Sequence, residues 1–167
     1  LPSRSWLASC FTALRFAQRT RLLELVAPLF GERGAGLRSL PAVPPSRERR
    51  ALEALTPARG ERRGAVIVLE GCVMRELYGR VNRATVEVLA DNGFESRCAT
   101  THTCCGALHA HNGELEAAAK LARSTIAAFD ALAADLPIVV NSAGCGAHMK
   151  TYGRLLEHDA EWRERAQ

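Results

Sequence analysis

The chain has 167 residues, 47% of them hydrophobic and 24% charged, with a net charge of +4. That length suits one domain, or one domain with an extension, and it buries enough surface to fold without disulfides or a structural metal. No run of about 18 apolar residues occurs, so no membrane-spanning helix is predicted, and no coiled-coil, collagen-like or low-complexity pattern is present.

The charge is uneven. Residues 1–63 hold 12 Arg and 5 Glu, a net of +7, whereas residues 64–167 carry a net of −3. A basic arm on a mildly acidic body can meet nucleic acid, anionic lipid or an acidic partner. Here apolar residues interrupt the arm and few aromatics are available for stacking, so nucleic acid is not expected. A solvated helix face or a membrane-peripheral surface fits better. The first 23 residues are Arg-rich and free of acid, which gives them transit-peptide character, but their helical patterning favours an internal linker. With Leu rather than Met at position 1, a fragment or a processed product is expected.

Leu7, Phe11, Leu14, Leu22, Leu25 and Leu29 fall near helical spacing, which predicts one amphipathic helix from about Ser5 to Phe30, with Pro28 in its last turn and Gly31 as its stop. Pro41, Pro44 and Pro45 exclude regular structure in the next stretch, apart from a short helix near Arg47–Leu55. Residues 1–63 therefore read as a helix and an Arg/Pro/Gly-rich linker, and little of 31–63 is expected in a core. From Gly64 the pattern changes. Ala65–Leu69 (AVIVL) is a strand, Tyr78–Asn92 a helix ended by Asn92-Gly93, and Phe94–Ala99 a second strand. The loop THTCCG leads into a long helix over Glu114–Ala134. Pro137–Asn141 is a third strand, followed by SAGCG and a helix over Ala147–Leu156. The order βαβαβα over 64–167 predicts the α/β class, with a short parallel sheet and right-handed crossovers.

Four of the six cysteines fall at equivalent places in that scheme. Cys72 follows strand one, Cys104 and Cys105 follow strand two, and Cys145 follows strand three. The carboxyl ends of parallel strands share one crevice, so three distant loops deliver four thiols to one place. Gly71, Gly106, Gly144 and Gly146 flank them and would let the backbone approach a bulky inorganic group. Thiolates are soft ligands, suited to an iron–sulfur cluster or zinc. No Cys-x-x-Cys pair of the structural zinc type is present, and adjacent cysteines suit different irons of a cluster better than one tetrahedral ion. A cluster, zinc, thiol redox chemistry and inert buried thiols all remain open on the residues alone. No Gly-x-Gly-x-x-Gly fingerprint follows a strand, and no Ser–His–Asp set or carboxylate pair suggests hydrolysis.

These motifs carry a resemblance. Cys72, then 31 residues, then Cys104-Cys105-Gly106, and later Ser142-Ala143-Gly144-Cys145, resembles the cysteine-rich CCG module of heterodisulfide reductase subunits, succinate and lactate-utilisation proteins, and glycolate oxidase iron–sulfur subunits. The wording is most similar to the last group: LEGCV at Leu69–Val73, CCGALHAHNGE at Cys104–Glu114 and VVNSAGCGAHMKTYG at Val139–Gly153. It covers about Gly64 to Asp159. The resemblance implies an iron–sulfur cluster, of the 4Fe-4S type, held by Cys72, Cys104, Cys105 and Cys145. Gly106, His109, His111, Ser142, Gly144 and Gly146 would surround it.

It also implies an electron-transfer subunit of a glycolate or related 2-hydroxy-acid oxidase. A partner subunit would carry FAD, and a quinone or membrane acceptor would stand downstream. The expected location is cytoplasmic, with a peripheral place on the inner face of the cell membrane open to it. The alternatives are a non-redox zinc- or thiol-based binding module and the iron–sulfur subunit of a lactate- or heterodisulfide-type oxidoreductase. The module's closing Cys-x-x-Cys pair is altered, since Ser142 stands in its first position. Four thiols remain, enough for one cubane cluster and one short of the noncubane form. Neither the family's ferredoxin domain nor a second module is in the sequence, so 64–167 is read as the first of two modules of a longer subunit.

Other residues have plainer readings. Cys98 is expected as a buried thiol and Cys10 as helix packing. His102 and His148 are expected in loops, and Asn141 is expected to cap or orient the SAGCG loop.

Overall fold

The computed structural model describes residues 4–101, 104–133 and 135–167. The first helix, α1, spans Arg4–Arg19. The single helix expected to Phe30 is broken. Arg21 takes a left-handed conformation (φ 57°), and the chain restarts as α2 (Leu22–Val26), a 3-10 turn over Ala27–Phe30 and α3 (Glu32–Arg38). The leucine spacing survives such a break, because each short segment keeps its own helical phase. The helix expected at Arg47–Leu55 is a 3-10 turn over Ser46–Arg49, and the chain then enters a short strand, β1 (Leu55–Thr56). Residues 31–63 also contribute more to the interior than their composition suggests, since Val43 and Arg49 are buried.

The AVIVL run forms β2 (Gly64–Val68). It leads through α4 (Cys72–Asp91) to β3 (Phe94–Arg97), then through α5 (Ala107–His111) and α6 (Leu115–Ala133) to β4 (Ile138–Val139). The sheet order is β1-β3-β2-β4. β2 pairs parallel with β3 and with β4, and β1 adds antiparallel on the far edge of β3. The chain is thus α/β, with the parallel βαβαβ order expected from its sequence. Side chains alternate along β2 as strand geometry requires. Val66 and Val68 pack with Val86 and Leu89 of α4, whereas Ile67 and Leu69 pack with Phe129 and Leu132 of α6. α4 and α6 therefore cover opposite faces, as same-handed crossovers running in opposite directions dictate.

Two helix boundaries differ from expectation in ways that matter for the thiols. α4 begins at Cys72 rather than at Tyr78, and non-helical backbone at Tyr78 marks a kink between its two parts. The last helix is two: α7 (Ala143–Met149) and α8 (Tyr152–Leu155). Glycines at 144 and 146 lower the helical tendency of SAGCG, and tertiary packing overrides it. Among the described residues no helix is long and apolar enough to cross a membrane.

Candidate metal centre

Each expected thiol emerges just beyond a parallel strand. Cys72 opens α4, directly after Gly71, whose φ of 70° turns the chain out of β2. Cys104 and Cys105 precede α5, and Cys145 lies in the first turn of α7. Cys72, Cys104 and Cys105 are buried; Cys145 is partly exposed.

The structure brings the four together as two pairs. The Cys72 and Cys104 sulfurs stand 3.4 Å apart in a hydrogen-bonding contact, and Cys105 packs against Cys145 closely enough for the two thiols to shift each other's ionisation. The adjacent cysteines face opposite ways. Cys104 packs with Leu7 and Cys72, while Cys105 packs with Ile67, Phe129 and Cys145. In each pair the thiol–thiol contact is the largest influence on ionisation. It draws Cys104 and Cys145 down to about 6, and Ser142 adds a hydrogen bond to Cys145. The same contacts push Cys72 and Cys105 up, and burial pushes all four up. Each pair therefore gives up one proton readily and holds the other firmly. Backbone hydrogen bonds at Val73, Gly106 and Ala107 favour the charged forms of Cys72, Cys104 and Cys105.

Buried hydroxyls fix the double-cysteine segment. Tyr152 Oη donates to the Cys105 carbonyl at 2.8 Å, and Thr125 Oγ1 donates to the Cys104 carbonyl at 3.1 Å. Asn141 Nδ2 donates to Asn82 Oδ1 (2.8 Å) and Thr85 Oγ1 (3.1 Å), and Asn82 Nδ2 donates to the Glu70 carbonyl (2.8 Å). That chain ties the loop after β4 to the loop after β2. Asn141 thus orients the SAGCG loop from outside, through α4.

The surrounding residues divide. Ser142 touches Cys145. His109 Nδ1 bonds Glu114, and His111 is exposed. Gly106 has φ +83°, and a Cβ there would meet the Ala118 carbonyl oxygen at 3.0 Å, so the fold itself requires glycine. At Gly144 nothing lies within 4 Å of an added Cβ, and the residue lines an open cleft with His111, Leu115 and His148; at Gly146 a Cβ would make ordinary contact with Val140. His148 is buried in α7, edge-on to Tyr152, rather than in a loop, and burial lowers its pKa. His102 lies outside the described residues. Cys98 is buried as expected, but Cys10 is exposed, because it turns out of the Leu7–Phe11–Leu14 face of α1. Tyr152, Thr125, Asn82 and Leu7 were missed in the sequence. Tyr152 left one signal, as an aromatic within the quoted motif of an aromatic-poor chain.

This donor set fits a thiophilic group of more than one metal. It offers four soft sulfurs in two pairs and backbone N–H donors. Among the described residues no group of three or more His, Cys, Asp or Glu is arranged to hold a single metal ion.

The family model for the cysteine-rich domain, CCG, matches residues 66–150. The chain is 38% identical over 127 residues to a probable glycolate oxidase iron-sulfur subunit of Bacillus subtilis, covering 76% of this chain and 28% of that protein. It is 37% identical over 112 residues to the glycolate oxidase iron-sulfur subunit of Escherichia coli, covering 66% of this chain and 27% of that one. It is also 34% identical over 96 residues to lactate utilization protein A of an Exiguobacterium strain, covering 58% and 39%. The chain thus spans between about a quarter and two fifths of the length of these relatives. No solved structure matches. With the four thiols gathered at the strand ends and the domain match running through all of them, the chain belongs to the cysteine-rich CCG domain family.

Proposed function

We propose that this chain is the cluster-holding module of an iron–sulfur subunit of a 2-hydroxy-acid oxidase, with Cys72, Cys104, Cys105 and Cys145 as ligands of one 4Fe-4S cluster. The observation that carries the proposal is the convergence of four thiols, as two pairs, from three loops at the carboxyl ends of parallel strands. The names of the glycolate oxidase and lactate utilization relatives support the substrate class. Glycolate is the substrate we favour.

A bound cluster supplies reversible one-electron transfer. The chain's own residues do the rest. Cys72 and Cys105 hold their protons firmly, and these are the protons that a bound metal would have to displace. Tyr152 and Thr125 fix the carbonyls of the double cysteine, and with them the directions of its side chains. Asn141 and Asn82 set the distance between the arms that carry Cys72 and Cys145. Ser142 and the backbone N–H groups would temper the sulfur charge. Oxidation of a 2-hydroxy acid releases two electrons and needs a hydride acceptor, for which this chain has no dinucleotide fingerprint. We therefore place FAD on a partner subunit and a quinone downstream. We take residues 64–167 as the module, and the cytoplasm, with a peripheral membrane position, as its place.

The test is anaerobic reconstitution followed by iron and sulfide analysis. About four of each per chain is expected, with a brown colour and reduction by one electron. In the assembled oxidase, Cys105→Ala should leave flavin reduction by substrate intact and abolish dye reduction. Normal turnover of that variant would remove Cys105 from the ligand set, and a colourless, iron-free protein after reconstitution would end the cluster reading.

A further inference from the structure

Leu7 belongs to α1, outside the matched residues 66–150, yet it is 8% exposed and shares a cluster with Cys72 and Cys104. Phe11 of the same helix, Val73 of α4 and Leu121 of α6 close round the same two sulfurs. α1 is held there at two levels. In its first turn Arg4 donates to the Thr100 carbonyl (3.0 Å) and pairs with Glu70 (3.3 Å), two residues before Cys72. Further along, Arg49 donates to the Ala8 carbonyl (3.4 Å) and to Thr12 Oγ1 (2.8 Å) while pairing with the buried Glu76 carboxylate at 2.8 Å. A helix tied at both points cannot slide off the thiols without breaking the Arg4–Glu70 pair and leaving the buried Arg49 guanidinium short of two acceptors. The other side of the site is different: Cys145 is partly exposed.

We propose that α1 is a wall of the thiol site, with Leu7 shielding Cys72 and Cys104 from water and leaving Cys145 as the open edge. Leu7 and Phe11 are then positioning residues. They make one half of the site dry, which disfavours added negative charge there. External reagents and electron partners reach the site from the Cys145 side. The shielding itself is a property of the bare protein; only its effect on a redox potential rests on the cluster proposed above.

The test is alkylation of the full, reduced, metal-free chain with iodoacetamide, read cysteine by cysteine by mass spectrometry. Two internal references are built in: Cys10 is exposed, and Cys98 is buried in a separate cluster under α4. In the native protein Cys145 should react ahead of Cys72 and Cys104. In Leu7→Ser, Cys72 and Cys104 should react faster on the order of tenfold while Cys98 stays protected. Leu7→Ala, a milder truncation, should move them in the same direction if the serine variant loosens the whole fold. Cys72 and Cys104 reacting as fast as Cys10 in the native protein would overturn the proposal, as would their continued protection in both variants. After anaerobic reconstitution, Leu7→Ser should raise the midpoint potential at unchanged iron content, because water stabilises the more negative reduced state. An unmoved potential would overturn the wall's electrostatic role. Failure of the native chain to bind iron would instead overturn the cluster proposal and leave the labelling result standing.

Discussion

Tyr152 Oη and the Cys105 carbonyl oxygen are 2.8 Å apart across 47 positions of sequence, and both residues are buried. The tyrosine comes from α8, the last helix, so the end of the chain holds the middle loop of the thiol site. Tyr152→Phe keeps the ring and its packing but leaves that carbonyl without its partner. The expected cost is about 1–2 kcal/mol, read as a drop of a few degrees in Tm. Thr125→Val removes the neighbouring bond to Cys104. The double variant should be non-additive, because the two bonds hold one segment.

The Arg49–Glu76 pair is buried on both sides, with side-chain exposures of 6% and 3%. Breaking such a pair from one side strands a charge. Glu76→Gln or Arg49→Met alone should cost about 3–5 kcal/mol in denaturant unfolding. Arg49→Met combined with Glu76→Leu should recover most of that loss. An additive double variant would show that the pair is not energetically linked.

Two glycines beside the thiols should part company. Gly106→Ala meets both a left-handed backbone and the Ala118 carbonyl, so the metal-free protein should lose at least about 1–2 kcal/mol. Gly144→Ala meets nothing and lies within α7, so the metal-free protein should be unchanged or gain up to about 1 kcal/mol. A loss of stability in Gly144→Ala as large as that in Gly106→Ala would overturn this contrast.

Cys98 gives a pH signature separate from the site. Burial, and then the Glu70 charge, push its thiol up to about 12. A raised folded pKa means that the neutral thiol contributes stability in full below about pH 9, and that this contribution is lost as the pH rises toward about 12. Cys98→Ala should cost about 1 kcal/mol at neutral pH and flatten the alkaline loss of stability between those values. Parallel stability–pH curves for the two proteins would rule out this assignment.

How far the sequence could be read depended on where each structural cause lay. AVIVL and PIVV announced two parallel strands because β-branched and apolar runs between turn residues favour a strand, whereas FESR, with one apolar residue, is marked as a strand mainly by its place after the Asn92-Gly93 helix stop. The long helices α4 and α6 showed their period, and the thiols then fell at strand ends by topology alone. The break at Arg21 could not be seen, since nothing in the arginine side chain asks for positive φ. The start of α7 at Ala143 ran against the weak helix propensity of its glycines. Tyr152 and Thr125 read as ordinary positions on apolar helix faces, because their partners are backbone carbonyls distant in sequence. Arg49 looked like one more surface charge until the fold placed Glu76 opposite it.

β4 is two residues long and lies at the open edge of the sheet, joined to β2 through Ile67 N–H to the Pro137 carbonyl and Leu69 N–H to the Val139 carbonyl. Of the three thiol-bearing arms, the one that ends in Cys145 therefore opens at the lowest free energy, by local unfolding while β2 and β3 stay paired. That order has a kinetic meaning. The arm that carries Cys145 can part from the other two without unfolding the domain. The rate at which the thiol site opens then follows the fraying of one short strand rather than the stability of the whole chain.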